Sequence, residues 1–490
     1  MLYFQEKGMF ALESALNNLV SDINGYLWNY LIIFILIGAG LWFTCTTKLV
    51  QLRQIPEMIR LLGDGVGTKT KNNHVSSFQA FCVSTASRVG VGNIAGIAIA
   101  VVLGGPGAIF WMWAIALIGA ATGFIESTLA QIYKEPLPNG GFYGGPAYYI
   151  RYGLKSKWFA VLFAVLISIT YGLIYNSVQA NTLALSLETF HIDVAYTGIV
   201  AAILTGIIVF GSITRVAKAC EVIVPIMALL YIGTALYVII ANIEHFPHVI
   251  YSIFASALDP YAAGGGFLGA TMINGIKRGL FTNEAGEGSV PNAAATANVS
   301  HPVKQGLVQA FGVFVDTMFI CTSSAFIVLV IGDYSTTGLT GVALVQHNLA
   351  QELGPWAPYA LAVFIMMFCF SSLIGNYYYG EVNITHMTDK KYVLNIFRLL
   401  VVAMVFIGCI SSLELVWNMA DLFMACLILT NVTAIVLLGK QAVVALNDYI
   451  AQKRAGIKEP QFNKSVLPDQ SGIFWWGDNQ TDNYVPDHKK

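Results

Sequence analysis

Apolar residues run through this chain in stretches too long for the core helix of a soluble domain. A transmembrane helix needs about 20 predominantly apolar residues. Eleven such stretches stand out, at 27–47, 78–103, 107–132, 158–186, 194–213, 220–242, 265–298 (interrupted), 303–331, 356–380, 392–411 and 413–438. The pattern predicts an all-α polytopic membrane protein. Ahead of them, residues 1–26 place Met9, Leu12, Leu16, Leu19 and Ile23 on one face of a polar segment, which predicts a short helix lying on the membrane surface. Polar sequence marks the other boundaries: a linker closing an N-terminal unit at 27–77, a second linker at 243–264 and a tail at 439–490 that ends in Phe474-Trp475-Trp476 and later polar residues. Those three residues suit docking on the membrane surface.

Composition narrows the class. Of 490 residues 56% are hydrophobic and 11% charged, where soluble domains carry about 25% charged residues. A soluble enzyme of this length has no such surface. The net charge of -1 offers no basic field for nucleic acid. The seven cysteines are odd in number, lack C-x-x-C spacing and lie mostly in apolar runs, so they read as core residues rather than disulfides or a zinc site. No cofactor is expected, and no nucleophile–base pair points to catalysis.

The few charges also orient the chain. With the first span running inward, 22 of the 26 lysines and arginines fall in alternate segments on one side, which the positive-inside rule makes cytoplasmic. An external N-terminus and a cytoplasmic C-terminus follow, in a multi-pass protein of the plasma membrane (a bacterial inner membrane). Arg88, Lys277, Arg278, Glu126, Glu284, Glu287, Asp316 and Asp421 remain at membrane depth. Charges there are rare and costly, so each is a functional candidate as well as a candidate for pairing inside the bundle.

Two hydrophobic stretches are interrupted at corresponding places. The sets 78–242 and 265–438 each contain five spans, and each opens with a segment broken by glycine and polar residues, Ala86-Ser87-Arg88-Val89-Gly90-Val91-Gly92-Asn93 and Phe281-Thr282-Asn283-Glu284-Ala285-Gly286-Glu287-Gly288. The two run in opposite directions. Paired breaks in inverted halves point to a transporter site near the midplane. Unwound backbone supplies N–H groups for a carboxylate and carbonyls for a cation, and it persists in a membrane only where a cavity or ligand uses them. The alternative is close helix packing, since Gly92-x-x-x-Gly96 and Gly275-x-x-x-Gly279 have that spacing. Gly90-Val91-Gly92-Asn93-Ile94-Ala95 also matches a dinucleotide fingerprint, but no strand precedes it and no acid follows at the required distance.

Other polar groups at depth are Ser371 and Ser372, whose hydroxyls are hard ligands for a small cation or partners of the preceding turn, and Gln179 and Asn181. Trp417 opens the last span as an interfacial aromatic residue.

The runs Phe78-Gln79-Ala80, Val89 to Gly96, Gly144-Gly145-Pro146 and above all Arg278 to Ser289 resemble the alanine or glycine:cation symporters over residues 24–439. That resemblance implies a leucine-transporter-like core of five plus five inverted helices with one extra N-terminal helix. It implies a substrate site at Gly90, Val91, Gly92 and Asn93, with Gln179, Phe281, Gly286, Gly288 and Trp417 around it. It also implies a sodium site from Ala86, Val89, Phe368, Ser371 and Ser372, with Thr282 at a second cation position. Arg88, Glu284 and Glu287 depart from the leucine-transporter pattern. Asp316, Glu284 and Glu287 are the coupling candidates. The expected activity is sodium-coupled uptake of alanine or glycine by alternating access, with the ion, the amino acid and the bilayer as partners. Proton-coupled symport and a non-transporting amino-acid receptor are the alternatives.

Overall fold

The computed structural model describes residues 2–65, 75–138, 140–211, 213–258 and 269–477. Helices dominate because the apolar runs can satisfy their backbone groups in lipid only by helix hydrogen bonds. The long ones are α1 (Glu13–Thr46), α2 (Ser77–Arg88), α3 (Val91–Gly104), α4 (Gly107–Ile132), α5 (Lys157–Glu188), α6 (Val194–Val209) and α7 (Ile213–Ala241). They continue as α8 (Ala270–Asn283), the short α9 (Val290–Ala294), α10 (Pro302–Ile331), α11 (Ala357–Met387), α12 (Lys391–Ile410) and α13 (Leu413–Arg454). Among the described residues eight helical segments are long and apolar enough to cross a membrane, and the bent pair α2–α3 makes a ninth. α6, at 16 residues, falls short of the stretch read as 194–213.

Four differences from the sequence reading have physical reasons. Residues 1–26 do not form a separate surface helix: Leu2–Leu27 continues without a break into the first span. Two of its polar residues meet the last helix, Asn24 Nδ2 donating to Asn418 O and Asn17 Oδ1 accepting from Asn418 Nδ2, each at 2.8 Å. The linker 243–264 contains a helix, Phe246–Ala257, started by Pro247 in its first turn. The last helix passes the boundary at 438 and ends only at Arg454. The tail then folds back, and Phe462, Leu467, Ile473 and Trp476 are buried against the protein.

α4 packs on α8 and α10, and with α2–α3 these make one bundle; α5, α6, α11 and α12 pack together beside it, and α1 lies over α4 and α13. Apolar side chains such as Ile207, Leu229, Ile240 and Leu399 face outward, the surface lipid would cover. Among the described residues three π-turns interrupt long helices, at Trp28–Ile32, Thr170–Tyr175 and Val315–Cys321. Such turns re-aim side chains and recur at functional sites.

Candidate substrate and ion site

α2 begins with a capping box, Ser76 Oγ accepting from Gln79 N at 3.1 Å and Ser76 N donating to Gln79 Oε1 at 3.0 Å. It stops at Arg88, and α3 leaves at 58° to it. The backbone between them turns its N–H groups toward side-chain oxygens: Gly90 N donates to Asn93 Oδ1 at 2.9 Å and Val91 N to Gln179 Oε1 at 3.0 Å. These donors sit at the start of α3, where the helix dipole favours an anion. A carboxylate replacing the two neutral amide oxygens would gain charge-assisted bonds.

Aromatic rings cover this break. A Cβ built on Gly92 would lie 2.6 Å from Phe281 Cε1, and one on Gly96 3.0 Å from Trp417 Cη2, so the break tolerates only glycine at Gly92 without moving a ring. Phe281 packs on Trp417 and Tyr175, with ring centres 4.9 and 4.7 Å apart. Trp417 is buried rather than interfacial, and the Arg278 guanidinium stands over its ring at 4.5 Å. Arg278 Nη2 reaches Asp421 Oδ1 and Oδ2 at 2.8 and 2.7 Å, and Lys277 Nζ approaches Oδ2 at 3.4 Å. These three charges pair with one another. Beside the break a cavity of about 410 Å³ is lined by Ala95, Thr182, Glu188, Leu339, Thr340 and Leu413.

Part of the oxygen set expected for a cation, Ser372 with Ala86 and Val89, comes together from residues far apart in the chain, whereas Ser371 Oγ bonds back to the preceding turn of its own helix and faces Met227 Sδ at 3.6 Å. Ser372 Oγ lies 3.0 Å from Ala86 O, 3.3 Å from Ser87 O and 3.5 Å from Val89 O, and Ser371 Oγ lies 3.0 Å from Phe368 O. The end of α2 presents the Ala86, Ser87 and Val89 carbonyls, and α11 brings the Ser372 hydroxyl to them. Neutral carbonyl and hydroxyl oxygens, with no carboxylate, suit a monovalent hard cation.

Thr282 stands apart from that set. Its Oγ1 donates to Gly279 O at 2.9 Å and receives Cys321 Sγ at 3.3 Å. Asp316, on the π-turn, accepts from Asn93 Nδ2 at 2.5 Å. Asn93 therefore joins the Gly90 amide to a buried acid on α10.

The second break is built differently. Glu284 takes φ 58°, Gly286 φ 94° and Gly288 φ 80°, left-handed conformations that favour glycine. Gly286 N donates to Glu126 Oε1 at 3.3 Å and its carbonyl accepts from Asn431 Nδ2 at 2.9 Å. A Cβ on Gly288 would meet Asn431 and Pro146. Both glycines thus serve the turn and do not face the Gly90–Gly92 amides. Glu284 accepts from Ser289 Oγ at 2.6 Å and lies 2.7 Å from Ser87 Oγ. Glu287 Oε2 accepts from Tyr171 and Tyr175 at 2.7 and 3.1 Å. Sequence reading missed Ser87, Tyr171, Tyr175 and Asn376, the last with Oδ1 2.7 Å from Ser87 Oγ. The spacing of four between the two tyrosines was the available signal.

The sequence pattern of the sodium:alanine symporter family matches residues 13–464. The chain is 49% identical over 476 residues to the probable sodium/glutamine symporter GlnT of Bacillus subtilis (strain 168), covering 96% of this chain and 99% of that one. It is 35% identical to the sodium/alanine symporter AgcS of Methanococcus maripaludis, covering 86% and 94%. The crystal structure of a point mutant of the Eremococcus coleocola manganese transporter superposes with a TM-score of 0.51 at 14% identity, over 82% of this chain and 92% of that one, a likeness of fold.

Proposed function

The chain belongs to the sodium:alanine symporter family, and from that premise we propose how its sodium-coupled amino-acid symport is carried out. The cargo is a small neutral amino acid, alanine or glycine, moved inward by alternating access. Its carboxylate meets the N–H group of Gly92 and those of Gly90 and Val91, from which the Asn93 and Gln179 amides withdraw. Phe281 and Trp417 close over its apolar part. Sodium binds among Ala86 O, Val89 O, Phe368 O and the hydroxyls of Ser371 and Ser372, and Thr282 contributes to a second cation position near Asp316.

One observation carries this reading: Ser372 Oγ sits 3.0 Å from Ala86 O, at the end of the helix whose unwinding also exposes the amides of Gly90 and Val91. Ion and substrate then share one piece of backbone. Occupation by sodium favours the substrate-ready arrangement to the extent that the ion binds that arrangement better. The paired breaks support eleven spans in a leucine-transporter-like core, with one extra N-terminal helix before two inverted sets at 78–242 and 265–438. The lysine and arginine bias supports an external N-terminus and a cytoplasmic C-terminus in the plasma membrane.

Counter-flow tests the transport reading: vesicles preloaded with unlabelled alanine should transiently accumulate labelled alanine when sodium is present on both faces. Saturable binding without exchange would make the protein a receptor. A second reading, proton coupling, is favoured by the short Asn93–Asp316 contact beside the substrate amides.

A further inference from the structure

We infer that the folded-back tail, through Trp476, is a strap that holds the cytoplasmic mouth of the transport path shut and must release for the path to open inward. This rests on the transport reading and orientation above, and it assigns a role to the aromatic run at the end of the chain.

The cytoplasmic ends of the two broken helices meet in a small parallel contact, with Asn298 N donating to Val75 O at 3.0 Å and Val75 paired with Ala297. Val75 leads into α2 and Ala297 follows α9. Separating these two segments is the step that would open the path inward. The segment around Ala297 is not helical, so its backbone groups need partners from elsewhere.

The tail and the end of α4 supply them. Phe462 N donates to Ser300 O at 3.0 Å, and Ser300 Oγ donates to Pro460 O at 2.8 Å. Glu459 pairs with Lys304, the third residue of α10. Further along, Trp476 is 1% exposed and its Nε1 donates to Gln131 O at 2.7 Å, while its carbonyl accepts from Lys464 N at 2.9 Å. The tail thus fastens the start of α10 and the segment after α9 to the end of α4.

Lys134 puts a cost on this closed arrangement. It is fully buried, with Nζ donating to Ala297 O at 2.9 Å and standing 3.9 Å from the centre of the Phe142 ring and 4.8 Å from that of Trp476. Among the described residues it has no carboxylate in ion-pair contact. Burying an ammonium without an acid is costly, and the faces of two rings offset only part of the cost. Docking of Trp476 covers this group, and undocking returns it to water. A merely structural anchor would be cheaper with an apolar residue at that place. A contact that carries this cost releases more readily during transport than an apolar anchor would.

Two experiments on the full chain in proteoliposomes test this. The first places a thiol at the mouth, Val75→Cys, in a background where Cys45, Cys220 and Cys426 are serine. Trp476→Ala should raise the rate of its modification from the tail side at least tenfold, and Trp476→Phe, which keeps the ring and loses the N–H, should raise it less. A rate unchanged by Trp476→Ala in folded protein overturns the strap. The second keeps Trp476 and joins Phe142→Cys to Trp475→Cys, whose rings lie 4.7 Å apart, with a short cleavable thiol reagent, which ties the tail beside Trp476 to the segment after α4. Uptake should stop on joining and return on cleavage, with sodium-dependent alanine binding retained throughout. Full uptake by the joined protein shows that the strap need not release and overturns the inference. If the unjoined protein itself takes up no alanine, the transport reading fails, and the thiol rates still decide on the strap.

Discussion

Replacing Ser372 by alanine removes one oxygen from the proposed sodium site and leaves the rest of the break in place. Ser372 is fully buried, and its hydroxyl lies within 3.0–3.5 Å of three carbonyls freed by the end of α2. Toward neutral carbonyls it is worth about 1 kcal/mol, whereas hydrogen bonds to charged groups are worth about 1.5–3 kcal/mol. A charged guest bound by the hydroxyl should fall in the upper range. Since about 1.4 kcal/mol is tenfold, the sodium concentration for half-maximal uptake should rise roughly 10- to 150-fold. The assay is the initial rate of labelled alanine uptake into proteoliposomes over a sodium series, repeated at saturating sodium over an alanine series. Alanine affinity at saturating sodium should stay within about threefold, and it should fall at low sodium because coupled binding is reciprocal. Ser371→Ala together with Ser372→Ala should add to the sodium effect. A loss of alanine affinity at saturating sodium with an unchanged sodium curve would refute the assignment of these hydroxyls to the ion.

Gly92→Leu should abolish uptake while the protein still reaches the membrane, because the Phe281 ring occupies the space any side chain there needs; normal uptake, measured beside surface expression, would contradict the backbone site. Asp316→Asn should leave sodium dependence in place if sodium is the coupling ion, and a loss of dependence on an imposed pH gradient in the variant alone would transfer coupling to that acid. Outside the spans, the Arg60 guanidinium first, then the Tyr449 hydroxyl and Lys453, hold the Glu57 carboxyl at about 2 against an ordinary 4.5. A lowered value in the folded state means a stabilisation present above about 4.5 and lost as pH falls through about 2. Thermal melting of the purified protein should therefore weaken across that window, and Glu57→Gln should flatten the change.

Much of this arrangement could be read from the chain because membranes punish unpaired backbone. Glycine and polar residues inside a hydrophobic run have few explanations, and both breaks fall where the pattern put them, at Arg88–Val91 and Asn283–Val290. The meeting of Ser372 with Ala86 is a contact between residues 286 apart, and no periodicity predicts it; only the family resemblance carried it. The amphipathic face of residues 1–26 was legible, but its partner was not: a polar stripe looks the same facing headgroups or facing Asn418 and Glu414 of α13. The family resemblance implies Gly286 and Gly288 beside the substrate, whereas their left-handed φ is used to make the turn. The π-turns shift the register of a helix by one residue without changing its composition, so the joint aim of Tyr171 and Tyr175 at Glu287 had no counterpart in the hydrophobic pattern.

The central claim is that a sodium gradient drives amino-acid uptake through this chain. Accumulation of labelled alanine in proteoliposomes, with an inward sodium gradient against equal sodium and against potassium replacement, tests it most directly. The structure predicts accumulation above the external concentration only with the sodium gradient. Accumulation that persists unchanged without that gradient would contradict it.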